Sequence, residues 1–134
     1  MSGIIEVSNL SHTYGGTLAV DGISFSVEEG EIFSFLGPNG AGKSTVINIL
    51  TTLLPLQKGS ASIAGIDVRT DPQRVREVIG IVFQEVTLDR DMTVAEILEF
   101  HGRLYAIPAG ERKIRTEQLL DLVELTGKRN TLTR

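Results

Sequence analysis

The stretch IFSFLGPNGAGKSTVINIL, residues 32–50, carries the sharpest change of pattern in the chain. Ile32 to Leu36 is a nearly unbroken apolar run, as expected of a β-strand covered on both faces. It stops at Gly37-Pro38-Asn39-Gly40-Ala41-Gly42. From Val46 the period changes: Val46, Ile49, Leu50 and Leu53 fall at i, i+3, i+4 and i+7, one stripe of an α-helix that Pro55 is expected to end. A glycine loop therefore joins a buried strand to a helix N-terminus. Residues 37–44, GPNGAGKS, match G-x-x-x-x-G-K-[ST] at every fixed position. Glycines permit the positive φ angles and close approach with which successive backbone N–H groups curl around an anion. The helix adds its unpaired N–H groups and the positive end of its dipole. Lys43 supplies a point charge for β- and γ-phosphates, and the Ser44 hydroxyl a ligand for Mg²⁺.

Working outward, Ile23, Phe25 and Val27 alternate with Gly22, Ser24 and Ser26, the period of a half-covered strand. With the strand-like run around Ile5 and Val7, this predicts an antiparallel β section near the N-terminus. Ala61 and Ile63 suggest another strand, and Asp71-Pro72 an N-cap followed by proline at the first helical position. Val78 to Phe83 reads as a second buried strand ending at Gln84. Thereafter the chain turns helical. Thr93-Val94-Ala95-Glu96 is a capping box, and a further helix is expected from about Ala109 to Leu125, with Gly127 closing it. The cluster around Glu111 reads as a solvated helix face with a Glu111–Arg115 pair.

The 134 residues are 41% hydrophobic and 22% charged, which is globular rather than disordered composition. A net charge of −4 argues against nucleic-acid binding driven by bulk positive charge. Cysteine is absent, which excludes disulfides, thiolate metal sites and thiol nucleophiles, and two histidines argue against an all-protein zinc site. The N-terminus has no basic segment leading an apolar core, and no stretch approaches the ~20 apolar residues of a membrane span. The expected compartment is the cytoplasm, with any membrane role exerted through a partner.

The loop alone does not choose among GTPases, kinases and ATPases. Tyr14, LAVDGISFSV at 18–27, GPNGAGKST at 37–45, GSASIAGIDV at 59–68 and IGIVFQE at 79–85 together resemble the N-terminal half of an ABC-transporter nucleotide-binding domain. The segment VTLDRDMTVAEILEFHGRLYAIP at 86–108 looks most like the drug-export, daunorubicin-resistance type branch. The resemblance implies an α/β fold: a P-loop core with an N-terminal antiparallel β section over residues 1–85, and part of a helical subdomain over 86–134. It places Tyr14 where an aromatic stacks on adenine, and it makes the whole loop from Gly37 through Pro38, Asn39, Gly40, Ala41, Gly42, Lys43 and Ser44 to Thr45 contact ATP phosphates. Gln84, 40 residues past Ser44, matches the glutamine that ligands Mg²⁺ or orients the attacking water. Lys43 and Gln84 are thereby the expected catalytic residues, and Ser44 and Gln84 the metal ligands. The implied partners are a transmembrane permease, which would hold the protein on the inner face of the membrane, and a second ATP-binding subunit.

Against the family pattern, no apolar run ends in Asp-Glu, and no LSGGQ-type signature or following switch histidine occurs in these residues. The expectation is an incomplete domain that captures nucleotide with negligible turnover on its own. Its apolar strands should lack neighbours and leave an uncovered edge. One rival reading is a truncated module that holds nucleotide or a partner ABC subunit without turnover; another is a GTPase or small-molecule kinase, against which stand the missing NKxD motif and the spacing of Tyr14 and Gln84.

Overall fold

The computed structural model describes residues 3–83 and 88–133. They fall into two compact units, Met1–Val82 and Phe83–Arg134.

The first unit opens with a long hairpin. Strands β1 (Ile5–Tyr14) and β2 (Thr17–Val27) pair antiparallel from Ile5↔Val27 to Tyr14↔Thr17. Gly15 and Gly16 form the two-residue turn with φ of 51° and 89°. Positive φ at both positions gives the turn whose twist matches its strands. Strand β3 (Lys58–Ile63) adds to the other edge of β1, and the short β4 (Ile66–Asp67) follows it, giving the order β2-β1-β3-β4. This is the antiparallel section that the alternation of Ile23, Phe25 and Val27 predicts.

Helix α1 (Lys43–Leu50) packs against β2 and β3, and α2 (Pro72–Val78) packs against β4. The core joins Val7, Leu10 and Val20 of the hairpin to Val46, Ile49 and Leu50 of α1 and to Val75 of α2. Each such side chain contributes about 1.5–3 kcal/mol when fully buried. The Asp71 side chain caps α2 by accepting from the Arg74 N–H at 3.3 Å, with Pro72 behind it.

Two expected strands do not form as such. Residues 31–38 make no ladder, and α2 runs through Val78, leaving 79–83 outside any strand. A doubly covered strand needs neighbours on both edges, and no described strand supplies them. One face of the first run finds partial cover. Phe33 stacks on Phe25 at 5.1 Å between centroids, and Phe35 meets both edge-on at 5.2 Å. The other face does not: Ile32 is 96% exposed, Leu36 92%, and Val82 of the second run 99%. An uncovered apolar face is thus present among the described residues, on irregular segments and not as the edge of a sheet.

Helix α1 also ends earlier than its stripe suggests. It stops at Leu50; Thr52 takes φ 63°, and the N–H groups of Leu53 and Leu54 both donate to the Asn48 carbonyl. This closes the helix ahead of Pro55.

The second unit contains helices α3 (Val94–Leu104) and α4 (Ala109–Leu122). The capping box is formed: Thr93 Oγ1 accepts from the Glu96 N–H, and Glu96 accepts from the Thr93 N–H at 2.8 Å. Those bonds from Thr93 hold the Glu96 carboxyl below the usual glutamate range. Glu99 of α3 accepts from Arg112 Nε of α4 at 3.0 Å and from Arg103 at 2.8 Å. Arg112 lies across Gly102, where an added Cβ would come within 2.7 Å of its Cδ. The Glu111–Arg115 pair is made at 2.5 Å. Gly127 does not close α4. Glu124, at φ 57°, does so, with the Leu125 N–H donating to the Leu120 carbonyl at 2.8 Å, while Gly127 sits in a 3₁₀ turn at Thr126–Lys128.

Candidate functional site

The loop from Gly37 to Gly42 leads directly into α1. Gly40 and Gly42 take φ of 85° and 82°, and the Ala41 N–H folds back onto the Pro38 carbonyl at 3.3 Å. Gly42 is the N-cap residue and brings no capping side chain. The N–H groups of Lys43, Ser44 and Thr45 open the helix and have no intrahelical acceptor. Among the described residues nothing else accepts from them, nor from the N–H groups of Gly40 and Gly42. These five N–H groups, at the positive end of the helix, thus have no acceptor among the described residues.

Lys43 turns back onto the start of the loop. Its ammonium donates to the Gly37 carbonyl at 2.6 Å and to the Pro38 carbonyl at 2.7 Å. That closes the loop from Gly37 to Lys43 into a ring. The ammonium is thus held at the loop by two carbonyl oxygens, and an ammonium there can pair with an entering anion. The carbonyls are neutral acceptors, whereas a polyphosphate would add charge–charge attraction to the same ammonium.

Strand β2 fixes the loop from outside. A Cβ on Gly42 would lie 2.5 Å from the Ala19 carbonyl oxygen and 2.9 Å from Val20 Cγ2. Beside this contact is a cavity of about 310 Å³, lined by Ala19, Val20, Phe33, Leu36, Gly42 and Lys43 among others.

Tyr14 stands at the end of β1, 47% exposed, its ring 4.7 Å from that of His12 at an interplanar angle of 65°. Its strand partner is Thr17, two to three residues along β2 from the Ala19–Val20 contact with the loop. At the ordinary strand rise this is ~7–10 Å along the sheet. The β1–β2 hairpin thus carries Tyr14 and braces the loop.

The other expected site residues distribute as follows. Pro38, Asn39, Gly40 and Ala41 are exposed on the loop, Ser44 is exposed in the first turn of α1, and Thr45 is buried beside it. A hard divalent cation takes oxygen ligands, often only one or two of them from protein. The exposed Ser44 hydroxyl beside the free amides suits that chemistry. Gln84 lies outside the described residues. Sequence reasoning assigns no individual role to Ala19 and Val20, because the brace is a tertiary contact with no spacing signal of its own.

Comparison with known proteins bears on the family and the fold. The family model for the ABC transporter matches residues 20–134. The linearmycin resistance ATP-binding protein LnrL of Bacillus subtilis is 39% identical over 125 residues, which is 93% of this chain and 40% of that protein. The daunorubicin/doxorubicin resistance ATP-binding protein DrrA of Streptomyces peucetius is 40% identical over 128 residues, 96% of this chain and 39% of that protein. Among solved structures, cbiO1 from Clostridium perfringens, part of the ABC transporter complex cbiONQ, superposes with a TM-score of 0.86 at 27% identity, over 99% of this chain and 55% of that one. An ATP-binding subunit of an ABC transporter superposes at 0.80 and 27%, over 96% and 54%.

The chain belongs to the ABC transporter family, and its likeness is to the drug-export branch. Its fold is the P-loop α/β type of the ATP-binding subunits, of which the antiparallel section and the P-loop helix are formed here. It spans about 40% of the length of the curated relatives it matches. Among the described residues no helix is long and apolar enough to cross a membrane.

Proposed function

We propose that this chain is the nucleotide-holding part of an ATP-binding subunit of an ABC exporter. The observation that carries the reading is the cradle itself: Lys43 folded onto the Gly37 and Pro38 carbonyls, and N–H groups without an acceptor at the start of α1. On binding, Lys43 exchanges those carbonyls for β- and γ-phosphate oxygens. The N–H groups of Gly40, Gly42, Lys43, Ser44 and Thr45 take the remaining phosphate oxygens, with Asn39 at the rim. Tyr14 offers its exposed face to adenine. Ser44 and Gln84 would hold Mg²⁺, which offsets phosphate charge, and Gln84 would also orient the attacking water. In the whole protein, hydrolysis at the interface with a second ATP-binding subunit would drive a transmembrane permease, with this chain on the inner face of the membrane. The drug-resistance names of the relatives support an exporter, and the acidic net charge supports the absence of a nucleic-acid partner.

For these 134 residues taken alone we propose capture without turnover. No apolar run in them ends in the acidic pair that activates water, and a positioned general base is worth typically ~10²–10⁴-fold in rate. Calorimetric titration with MgATP and MgGTP, together with a phosphate-release assay, tests both readings. We expect ATP to bind in preference to GTP, with phosphate release no faster than that of Lys43→Ala. Absence of ATP binding contradicts the first reading, and release well above the Lys43→Ala level contradicts the second.

A further inference from the structure

The structure assigns to His12 and Gln57 a common role as positioning residues, which together hold the Tyr14 ring as a platform for a nucleotide base. The inference rests on the proposed stacking role of Tyr14 and extends it to two residues behind that ring.

Tyr14 is half exposed at a strand end beside a glycine turn, a place where an aromatic side chain ordinarily samples several rotamers. Two contacts restrict it. The first is His12, two residues earlier on the same strand, whose ring meets that of Tyr14 edge-on. Edge-to-face geometry at this separation is attractive and directional. His12 is only 3% exposed, and among the described residues its Nδ1 has no hydrogen-bond partner. An unpartnered buried nitrogen is costly. A plain aliphatic side chain would avoid that cost, but it would not present a flat aromatic edge to Tyr14.

The second contact holds the backbone. The β1–β3 ladder ends at Ser11↔Lys58. Beyond it, the side chain of Gln57 takes the place of a strand. Its Oε1 accepts from the Thr13 N–H at 2.9 Å, and its Nε2 donates to the Thr13 carbonyl at 3.1 Å. Thr13 is thus clamped on both sides of its peptide, between His12 and Tyr14. Gln57 in turn follows Leu56, which is buried against the core that holds Ile49 and Leu50 of α1. The helix that faces the phosphates and the ring that faces the base are therefore fixed to one core. Gln57 is itself exposed, so its amide is a clamp and not a packing element.

The test compares MgATP with magnesium tripolyphosphate, which has the phosphates without the base, on the full chain and its variants, with thermal melts alongside. Tyr14→Ala is expected to weaken ATP about tenfold and leave tripolyphosphate unchanged. Freeing an ordered side chain costs enough that Gln57→Ala and His12→Ala should each weaken ATP about threefold, with tripolyphosphate again unchanged. His12→Phe keeps an aromatic edge and should restore the wild-type value. The chain has no tryptophan and two tyrosines, so in a Tyr105→Phe background the emission anisotropy of Tyr14 should fall in the Gln57→Ala variant. A merely structural role would move both ligands together. If Tyr14→Ala leaves ATP affinity intact, the stacking reading fails and this inference fails with it. If Tyr14→Ala weakens ATP while Gln57→Ala matches wild type in affinity and anisotropy, the positioning inference alone is overturned. Should His12→Ala not fold, the Gln57→Ala arm decides.

Discussion

Replacing Lys43 by alanine is expected to weaken binding of MgATP and of tripolyphosphate equally, by roughly 10- to 150-fold, with little change in the melting of the protein. The loss of affinity follows from charge. Hydrogen bonds involving charged groups contribute about 1.5–3 kcal/mol, and each 1.4 kcal/mol is tenfold in affinity. The small effect on stability follows from what Lys43 touches without ligand. Its two acceptors, the Gly37 and Pro38 carbonyls, lie on an exposed loop where water can replace the ammonium. Lys43→Arg keeps the charge but replaces a compact ammonium by a planar fork, so it should recover only part of the affinity. Calorimetry with both ligands and a urea melt of each variant check this. Equal ATP affinity in Lys43→Ala and wild type would contradict it.

The second large effect is expected at Gly42. Alanine there must adopt φ 82° and place its Cβ 2.5 Å from the Ala19 carbonyl oxygen. The left-handed conformation costs ~1–2 kcal/mol. Forcing an extra methyl into packed surroundings adds ~1–3 kcal/mol. Gly42→Ala should therefore destabilise the first unit by about 2–5 kcal/mol, and it should also push the loop off β2 and lower phosphate affinity. Gly40→Ala is the control. Gly40 has nearly the same φ, 85°, but nothing lies within 4 Å of its added Cβ. It should incur only the conformational part. Urea midpoints of the two variants measure the difference, and equal destabilisation would show that the β2 brace contributes nothing.

Much of this arrangement is legible in local pattern. The glycine loop, the start of α1, the alternation of β2, the Asp71 cap and the Thr93–Glu96 box each rest on neighbours within four residues, so sequence spacing specifies them. The features that escape the sequence depend on distant partners. The apolar run at Ile32 to Leu36 reads as a strand, but a strand is defined by its ladder. Without one among the described residues, only Phe33 and Phe35 find partial cover. The same holds for Val78, whose apolar neighbours suggest a strand although the Asp71-capped helix reaches it first. Helix ends mislead for another reason. Thr52 and Glu124 take left-handed angles that favour glycine, so composition points past them, to Pro55 and Gly127. In the site, Lys43 and the loop are evident from the motif. The Ala19–Val20 brace, the burial of His12 and the Gln57 clamp are long-range contacts with no local signature.

Amide chemical shifts of the ¹⁵N-labelled chain, followed during titration with magnesium tripolyphosphate, test the phosphate cradle most directly. We predict large, saturable shifts at Gly40, Gly42, Lys43, Ser44 and Thr45, with the amides of the second unit unmoved. Saturable binding that leaves those five amides in place and perturbs others would show that the phosphates are held elsewhere.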